Sequence, residues 1–417
     1  LSACAQRGVT ANPGQQFDAV TSPAGCHLRE VSRTRLKTPG GEPVYIDADA
    51  FVADGRGNTL LAGTPNFIWR TSGQGELTGV SSDSVFGAVI APDGSAQLVP
   101  APVAAAQVRG IRATARPEGG WDVVFAEEPL PQTGSTPAGR LWYGVLNGSS
   151  WSLVEPIPVP DSVSVDTLFT SSLVRYADTL SWALRRRGGK QHEALSLLHR
   201  VGGRWIHETV LAGYAVDVDL AYSESTGLVV AVVQSIRWPG PEFDDNSLLL
   251  WARRPDWQVI HKVASGLRDG AVHDPSVLRA GRDLLVTWWT DDVGEGAQPR
   301  RELRATFVGA EAPNQPVIVL NENIDSWSDA VPVLIGEALP LWVVHGVQPD
   351  GSKELRYVGT IGSQALELAR SPSPYMLRTA AARPRAGELV VTGFEYEDNR
   401  FVFSLLLTHR VECQRTS

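Results

Sequence analysis

Lysine is nearly absent: Lys37, Lys190, Lys262 and Lys353 are the only ones, so almost all of the 37 basic residues are arginine. Acidic residues number 46, the formal charge is −9, and no stretch gathers Lys or Arg into a stripe. A protein that neutralises phosphates needs such a stripe, so nucleic acid is excluded as a partner. No apolar run approaches the roughly 20 residues of a helical membrane span. The eight His show no His-x-x-x-His spacing and no clustering with the three Cys, which argues against a transition-metal site. Gly-x-Ser-x-Gly, P-loop and dinucleotide fingerprints are missing in the strand-to-helix setting they require. Asp244-Asp245-Asn246 and Asp291-Asp292 offer oxygens for Ca²⁺ but lack the graded spacing of an EF-hand loop, so no cofactor is expected.

What the chain has in plenty is punctuation and tryptophan. Its 40 Gly and 28 Pro are spread along all 417 residues, which breaks helices everywhere and suits short strands joined by turns. Three of the 13 Trp recur in one setting: Ser150-Trp151-Ser152-Leu153-Val154, Arg204-Trp205-Ile206-His207 and Asp256-Trp257-Gln258-Val259. A second echo sets Glu302-Leu303-Arg304-Ala305-Thr306-Phe307-Val308-Gly309 against Glu354-Leu355-Arg356-Tyr357-Val358-Gly359, 52 residues later. Between these marks run apolar segments of strand length, at 121–125, 228–233, 284–289, 339–344 and 389–392. A period near 50 with about four strands per unit is the size of a kelch-like propeller blade.

Cutting at that period gives blades near 45–105, 108–160, 165–213, 216–266, 271–322 and 325–372, and a last stretch, 376–413, with only three strands. The segment 27–36 is expected to supply the missing outer strand, which removes a free sheet edge. The expected fold is therefore all-β: a single seven-bladed β-propeller of four-stranded antiparallel blades, with the N-terminal strand completing the last blade. Length alone would suggest two or three domains, but a closed ring grows by one small core per blade.

The chain opens Leu1-Ser2-Ala3-Cys4, which resembles a bacterial lipobox. The resemblance implies acylation of Cys4, export, and attachment to a membrane through the lipid alone. Ala5-Gln6 after the cysteine is similar to lipoproteins passed on to the outer membrane, so the implied address is the cell envelope, at the outer membrane or the cell surface. Residues 1–25 then read as lipobox remnant and flexible stalk, 26–413 as the propeller, and 414–417 as a tail. Cys26 and Cys413 bracket the propeller, one before its first strand and one after its last. Two cysteines left over in an exported chain are expected to pair.

In a propeller the innermost strand of each blade starts on the face where the second strand hands over to the third. The loops at that handover are long, at 71–84, 127–139, 237–246 and 291–300. Long loops on one face of a rigid scaffold carry binding residues. Inner-strand starts bring acidic residues to the same face: Asp47 and Asp49, Asp166, Asp217 and Asp219, Asp274 beside His273, and Asp325 and Asp329. Arg112 and Arg378 occupy similar places, and the loops add Trp238 and Asp291. The expected ligand-binding set is thus Asp166, Asp217, Asp274, Asp329, Arg112, Arg378, Trp238 and Asp291. The alternative for any one Asp is an Asx cap on its own turn.

The repeat resembles the sialidase-like propellers through Leu146-Asn147-Gly148-Ser149-Ser150-Trp151-Ser152, similar to the Asp-box turn, and through His273-Asp274-Pro275-Ser276 opening a blade. The box aspartate is replaced by Leu146, and the family's Arg-Ile-Pro signature is missing. The resemblance implies a glycan-active surface. Cleavage would need two carboxylates straddling the bond, for which Asp274 and Asp329 are the candidates. Asp291-Asp292 after Trp288-Trp289 would set acid beside an aromatic platform, although Trp at a strand end is more often core. With no complete catalytic signature, the expected function is a lipid-anchored binding or scaffold module for a glycan or an envelope protein. A sialidase-like glycoside hydrolase is the alternative.

Overall fold

The computed structural model describes residues 26–413 except 72–76, 82–84, 104–106, 129–139, 159–163, 167–171, 188–193, 213–214, 236–245, 266–270, 293–299, 310–316, 323–329, 336–338, 348–352, 362–363, 373–375, 384–387 and 398–399. Every described element is a strand. After β1 (Cys26–Arg35), the first sheet is β2 (Val44–Ala53), β3 (Thr59–Thr71), β5 (Val85–Ile90) and β6 (Ala96–Pro100), with β4 (Leu77–Ser81) paired to β3. The second is β7 (Gln107–Ala115), β8 (Trp121–Glu128), β9 (Arg140–Asn147) and β10 (Ser150–Pro156). In the third, β11 (Ser164–Asp166) and β12 (Leu173–Tyr176) both pair with β13 (Thr179–Arg187), followed by β14 (Ala194–Val201) and β15 (Arg204–Ala212). The fourth is β16 (Ala215–Ser223), β17 (Gly227–Ser235), β18 (Asn246–Arg254) and β19 (Asp256–Ser265). The fifth is β20 (Ala271–Ala280), β21 (Asp283–Asp292), β22 (Arg300–Val308) and β23 (Val317–Glu322). The sixth is β24 (Ala330–Ile335), β25 (Leu339–Val347), β26 (Lys353–Ile361) and β27 (Gln364–Pro372).

Those six sheets are made of contiguous chain; a further sheet is composite, joining β28 (Met376–Arg383), β29 (Glu388–Glu397) and β30 (Arg400–Cys413) to β1. Inner strands pack in sequence, β2 on β7, β7 on β12, β12 on β16, β16 on β20, β20 on β24, β24 on β28, and β28 back on β2. The result is a β-propeller of antiparallel, mostly four-stranded blades.

Each sheet is buried on both faces by its neighbours, and this sets the residue pattern. In β17, Val229 through Val233 are all fully buried, a continuous apolar run rather than an alternating one. Outer strands are mostly exposed or half-buried instead: in β19 only Ala264 is buried. Each apolar cluster spans two consecutive sheets, as where Val229, Leu248 and Leu250 meet Val277, Leu284 and Trp288. A large side chain fills the second strand of four sheets: Trp121, Trp182, Trp288 and Trp342 are fully buried. Trp288 and its neighbour Trp289 (4% exposed) therefore belong to the core, the reading favoured for Trp at a strand end, and offer no platform for a sugar.

Polar contacts tie the sheets together where apolar packing stops. Trp121 Nε1 donates to Val52 O at 2.9 Å, and Trp151 Nε1 to Pro100 O at 2.9 Å. Buried Asp122 accepts from Tyr143 Oη at 2.6 Å within its own sheet and is bonded by Arg175 Nε from the next. Tyr357 and His409 share a buried hydrogen bond of 2.7 Å between the sixth and composite sheets. Ser404 Oγ, in β30, accepts from Ile46 N at 2.9 Å and joins the composite sheet to the first.

Two local expectations are corrected. The segment expected as a loop at 71–84 contains a strand, because β3 runs on to Thr71 and pairs with β4 at Leu77–Ser81. The inner edge of the third sheet is not one strand but β11 and β12, which pair with successive stretches of β13. The tight turns behave as expected: Gly202-Gly203, with φ of 55° and 80°, joins Val201 to Arg204 in a two-residue turn whose centres need positive φ.

Candidate functional site at the inner strand starts

Five inner strands share an irregularity that no single strand's sequence displays. The register shifts near the start of β2 between Ile46 and Ala50, of β7 between Arg109 and Arg112, and of β16 between Ala215 and Asp217. It shifts again in β20 between His273 and Ser276, and in β28 between Leu377 and Thr379. Each shift is a bulge, which bends the strand and re-aims side chains. The residues in or beside these bulges are Asp47, Asp49, Arg112, Asp217, Asp274 and Arg378, six of the ten inner-strand residues picked out from the sequence.

The β20 bulge is the most developed. It holds Asp274-Pro275, where proline has no ladder donor to lose and Asp274 takes a left-handed φ of 48°. The Asp274 N–H turns out of the ladder and donates to Asp217 Oδ2 of the fourth sheet at 3.3 Å. His273 lies between two carboxylates: its Nδ1 is 2.8 Å from Asp274 Oδ2 and its Nε2 is 3.1 Å from Asp291 Oδ2. Exposure rises from 23% at His273 to 37% at Asp291 and 63% at Asp274, so the carboxylates are the outer part of the group. Burial pushes the His273 pKa down, but hydrogen bonds and charge from Asp274 and Asp291 outweigh it and carry it up to about 9. At neutral pH the ring is an imidazolium with both N–H groups engaged.

Beside it, part-buried Asp219 is a connector. Its Oδ1 accepts from Ser172 Oγ at 2.5 Å and Leu220 N at 2.9 Å, and its Oδ2 from Val277 N at 2.7 Å, joining the third, fourth and fifth sheets. Burial raises the Asp219 carboxyl pKa, against the pull of those donors. Across the inner wall, Arg112 Nη1 donates to Ile111 O at 2.7 Å and approaches Asp49 O at 3.5 Å. Burial lowers the Arg112 pKa, opposed by the charges of Asp49 and Asp219.

The structure therefore brings Asp217, Asp274 and Asp291 together and sets Arg112 near Asp49. Asp166 ends β11 with its backbone opposite Arg185, and Arg378 is the bulged residue of β28; these two are described as backbone only. Asp329 and Trp238, with Asp325, Asp244 and Asp245, lie outside the described residues, as do most of the long loops at 129–139, 236–245 and 293–299. No group of three or more His, Cys, Asp or Glu placed to hold a metal ion is found among the described residues. Sequence reasoning passed over His273 as the centre of the group and Ser172 as a support of the neighbouring Asp219. Laying β20 against β21 from the Gly281-Arg282 turn would have set Asp291 within two places of His273.

No protein family and no curated protein sequence matches the chain. Among solved structures it is similar to an ulvan lyase of a new polysaccharide lyase family bound to a GlcA-containing saccharide, with TM-score 0.55, 9% identity, and 90% of this chain and 95% of that one covered. A second structure of a polysaccharide lyase of that description gives TM-score 0.52 at 8% identity, covering 88% and 93%. Virginiamycin B lyase from Staphylococcus aureus gives 0.49 at 9% identity, covering 92% and 99%. At such identities the likeness is one of fold, and the fold it supports is the β-propeller.

Proposed function

We propose that the protein is a recognition propeller that binds a glycan at the bulged ends of its inner strands. The composite sheet is read as a blade, which makes seven. The observation that carries the reading is the set of bulges on five inner strands, and we read the residues beside them as a mixed ring of carboxylates, arginine and imidazolium. Saccharide hydroxyls both donate and accept, and such a ring offers both partners. A saccharide is bound in one of the similar propellers, the ulvan lyase, which is consistent with the ligand class.

Binding is favoured over turnover by proton bookkeeping. A general base near neutral pH needs a free lone pair and a pKa near the working pH. His273 has its nitrogens engaged by Asp274 and Asp291 and holds its proton to about pH 9. Asp219, whose raised carboxyl would suit a general acid, is taken up by Ser172, Leu220 and Val277. That raised carboxyl is the one feature favouring the second reading, a glycoside hydrolase. The proposed address is the cell envelope, with Cys4 lipidated; Cys4→Ala in the precursor should free the protein from the membrane fraction.

The test is a glycan array with wild type, Asp274→Ala and Asp291→Ala, run beside a panel of aryl glycosides that includes sialosides. Wild type should retain a defined glycan class, and each variant should lose affinity about tenfold or more, the effect of removing charged hydrogen bonds. Undiminished capture by both variants would sink the site. Cleavage by wild type that vanishes in Asp274→Asn would replace binding with hydrolysis.

A further inference from the structure

The ladder between β1 and β30 is regular from its first pair. Cys26 stands opposite Cys413, His27 opposite Glu412, Leu28 opposite Val411, Arg29 opposite Arg410 and Glu30 opposite His409; the register shifts only afterwards, between Glu30 and Ser32. Directly opposed residues of an antiparallel pair share a face, with Cα atoms about 4.5 or 5.5 Å apart. Both spacings fall inside the roughly 4.4–6.8 Å that a disulfide spans. Elsewhere the third and outermost strands are joined by short turns, at Gly148-Ser149 and Gly202-Gly203. The composite sheet has no such turn, because its outer strand comes from the other end of the chain. Cys26 and Cys413 occupy the place where it would be.

We propose that Cys26 and Cys413 form a disulfide, a covalent clasp in place of the missing turn. Two thiols give up two protons and two electrons as the S–S bond forms, and the disulfide of a thiol–disulfide oxidoreductase takes up the electrons to become a dithiol. The clasp matters because β1 has one ladder partner and its far end is already fixed. Leu36 N donates to Ser404 O at 2.9 Å, and Thr34 Oγ1 donates to Gly94 O at 3.1 Å. Fraying is therefore directed to the end that carries the cysteines. This inference is independent of the ligand proposed above.

The experiment uses the full chain with Cys4→Ala, so that two thiols remain, expressed in an oxidising compartment. Peptide mapping without reduction should recover the Cys26 and Cys413 peptides linked; both thiols alkylated without reductant would overturn the proposal. Hydrogen exchange then tests the clasp. Reduction, or Cys413→Ser, should speed exchange of the 27–30 amides on the order of tenfold while β17 and β21 stay unchanged, as expected of local opening at a strand end. Linked peptides with unaltered exchange on reduction would overturn the clasp.

Discussion

The two carboxylates around His273 make a pH-dependent contribution whose sign follows from the direction of its shift. A histidine whose pKa rises on folding, here from 6.5 to about 9, stabilises the folded state fully below the unfolded value. That contribution is lost as pH climbs through the folded value. The window is thus from about pH 6.5 to about 9, with an upper bound of about 3 kcal/mol. Urea midpoints taken from pH 6 to 9.5 should fall in wild type more steeply than in His273→Gln. Parallel curves would show that the ring is not held as an imidazolium. How little of this was legible beforehand is instructive. Asp217, Asp274 and Asp291 stand out as acidic residues near strand ends, but their convergence depends on a bulge, and a bulge is a relation between two strands. Trp288-Trp289 beside Asp291-Asp292 could form a platform, but their place at a strand end already favours the core, and both are buried.

Between elements, the second and third sheets are joined by an ion pair whose acid has no contact with solvent. Asp122 is fully buried, bonded by Arg175 Nε and by Tyr143 Oη at 2.6 Å. Burial and the Asp122 charge drive the Tyr143 phenol above its usual range, so it stays a donor. Removing one member of such a pair strands the other. Asp122→Ala should cost about 3–5 kcal/mol, whereas Tyr143→Phe, which removes one neutral donor, should cost about 1–2 kcal/mol. Thermal or denaturant unfolding would check the order; equal losses would mean that Arg175 reaches water when Asp122 is gone. This pair could not be read from the sequence, because Asp122 and Arg175 sit in different repeats. The repeats could. Trp151, Trp205 and Trp257 do fall on outermost strands, where the period set them.

For the whole molecule, β1 precedes every other described strand and its partner β30 follows them all, so the two are synthesised far apart in time. At about 5–20 residues per second, β1 emerges tens of seconds before the segment that will cover it. Its composition suits that interval. In Cys26–Arg35 the only aliphatic residues are Leu28 and Val31, among Arg29, Glu30, Arg33 and Arg35, and Arg33 pairs with Glu30 at 3.1 Å. A strand this polar can wait in solution without recruiting another edge, the hazard of unpaired strands. The interior strands have no such tolerance, but each finds its hairpin partner within a few residues. Deleting 26–35 should expose β30 and produce dimers or aggregates visible by light scattering, and a monodisperse product would show that closure is dispensable. Replacing Arg29 and Arg33 with valine should leave the finished ring intact yet lower its yield, a defect of the nascent chain rather than of the native state.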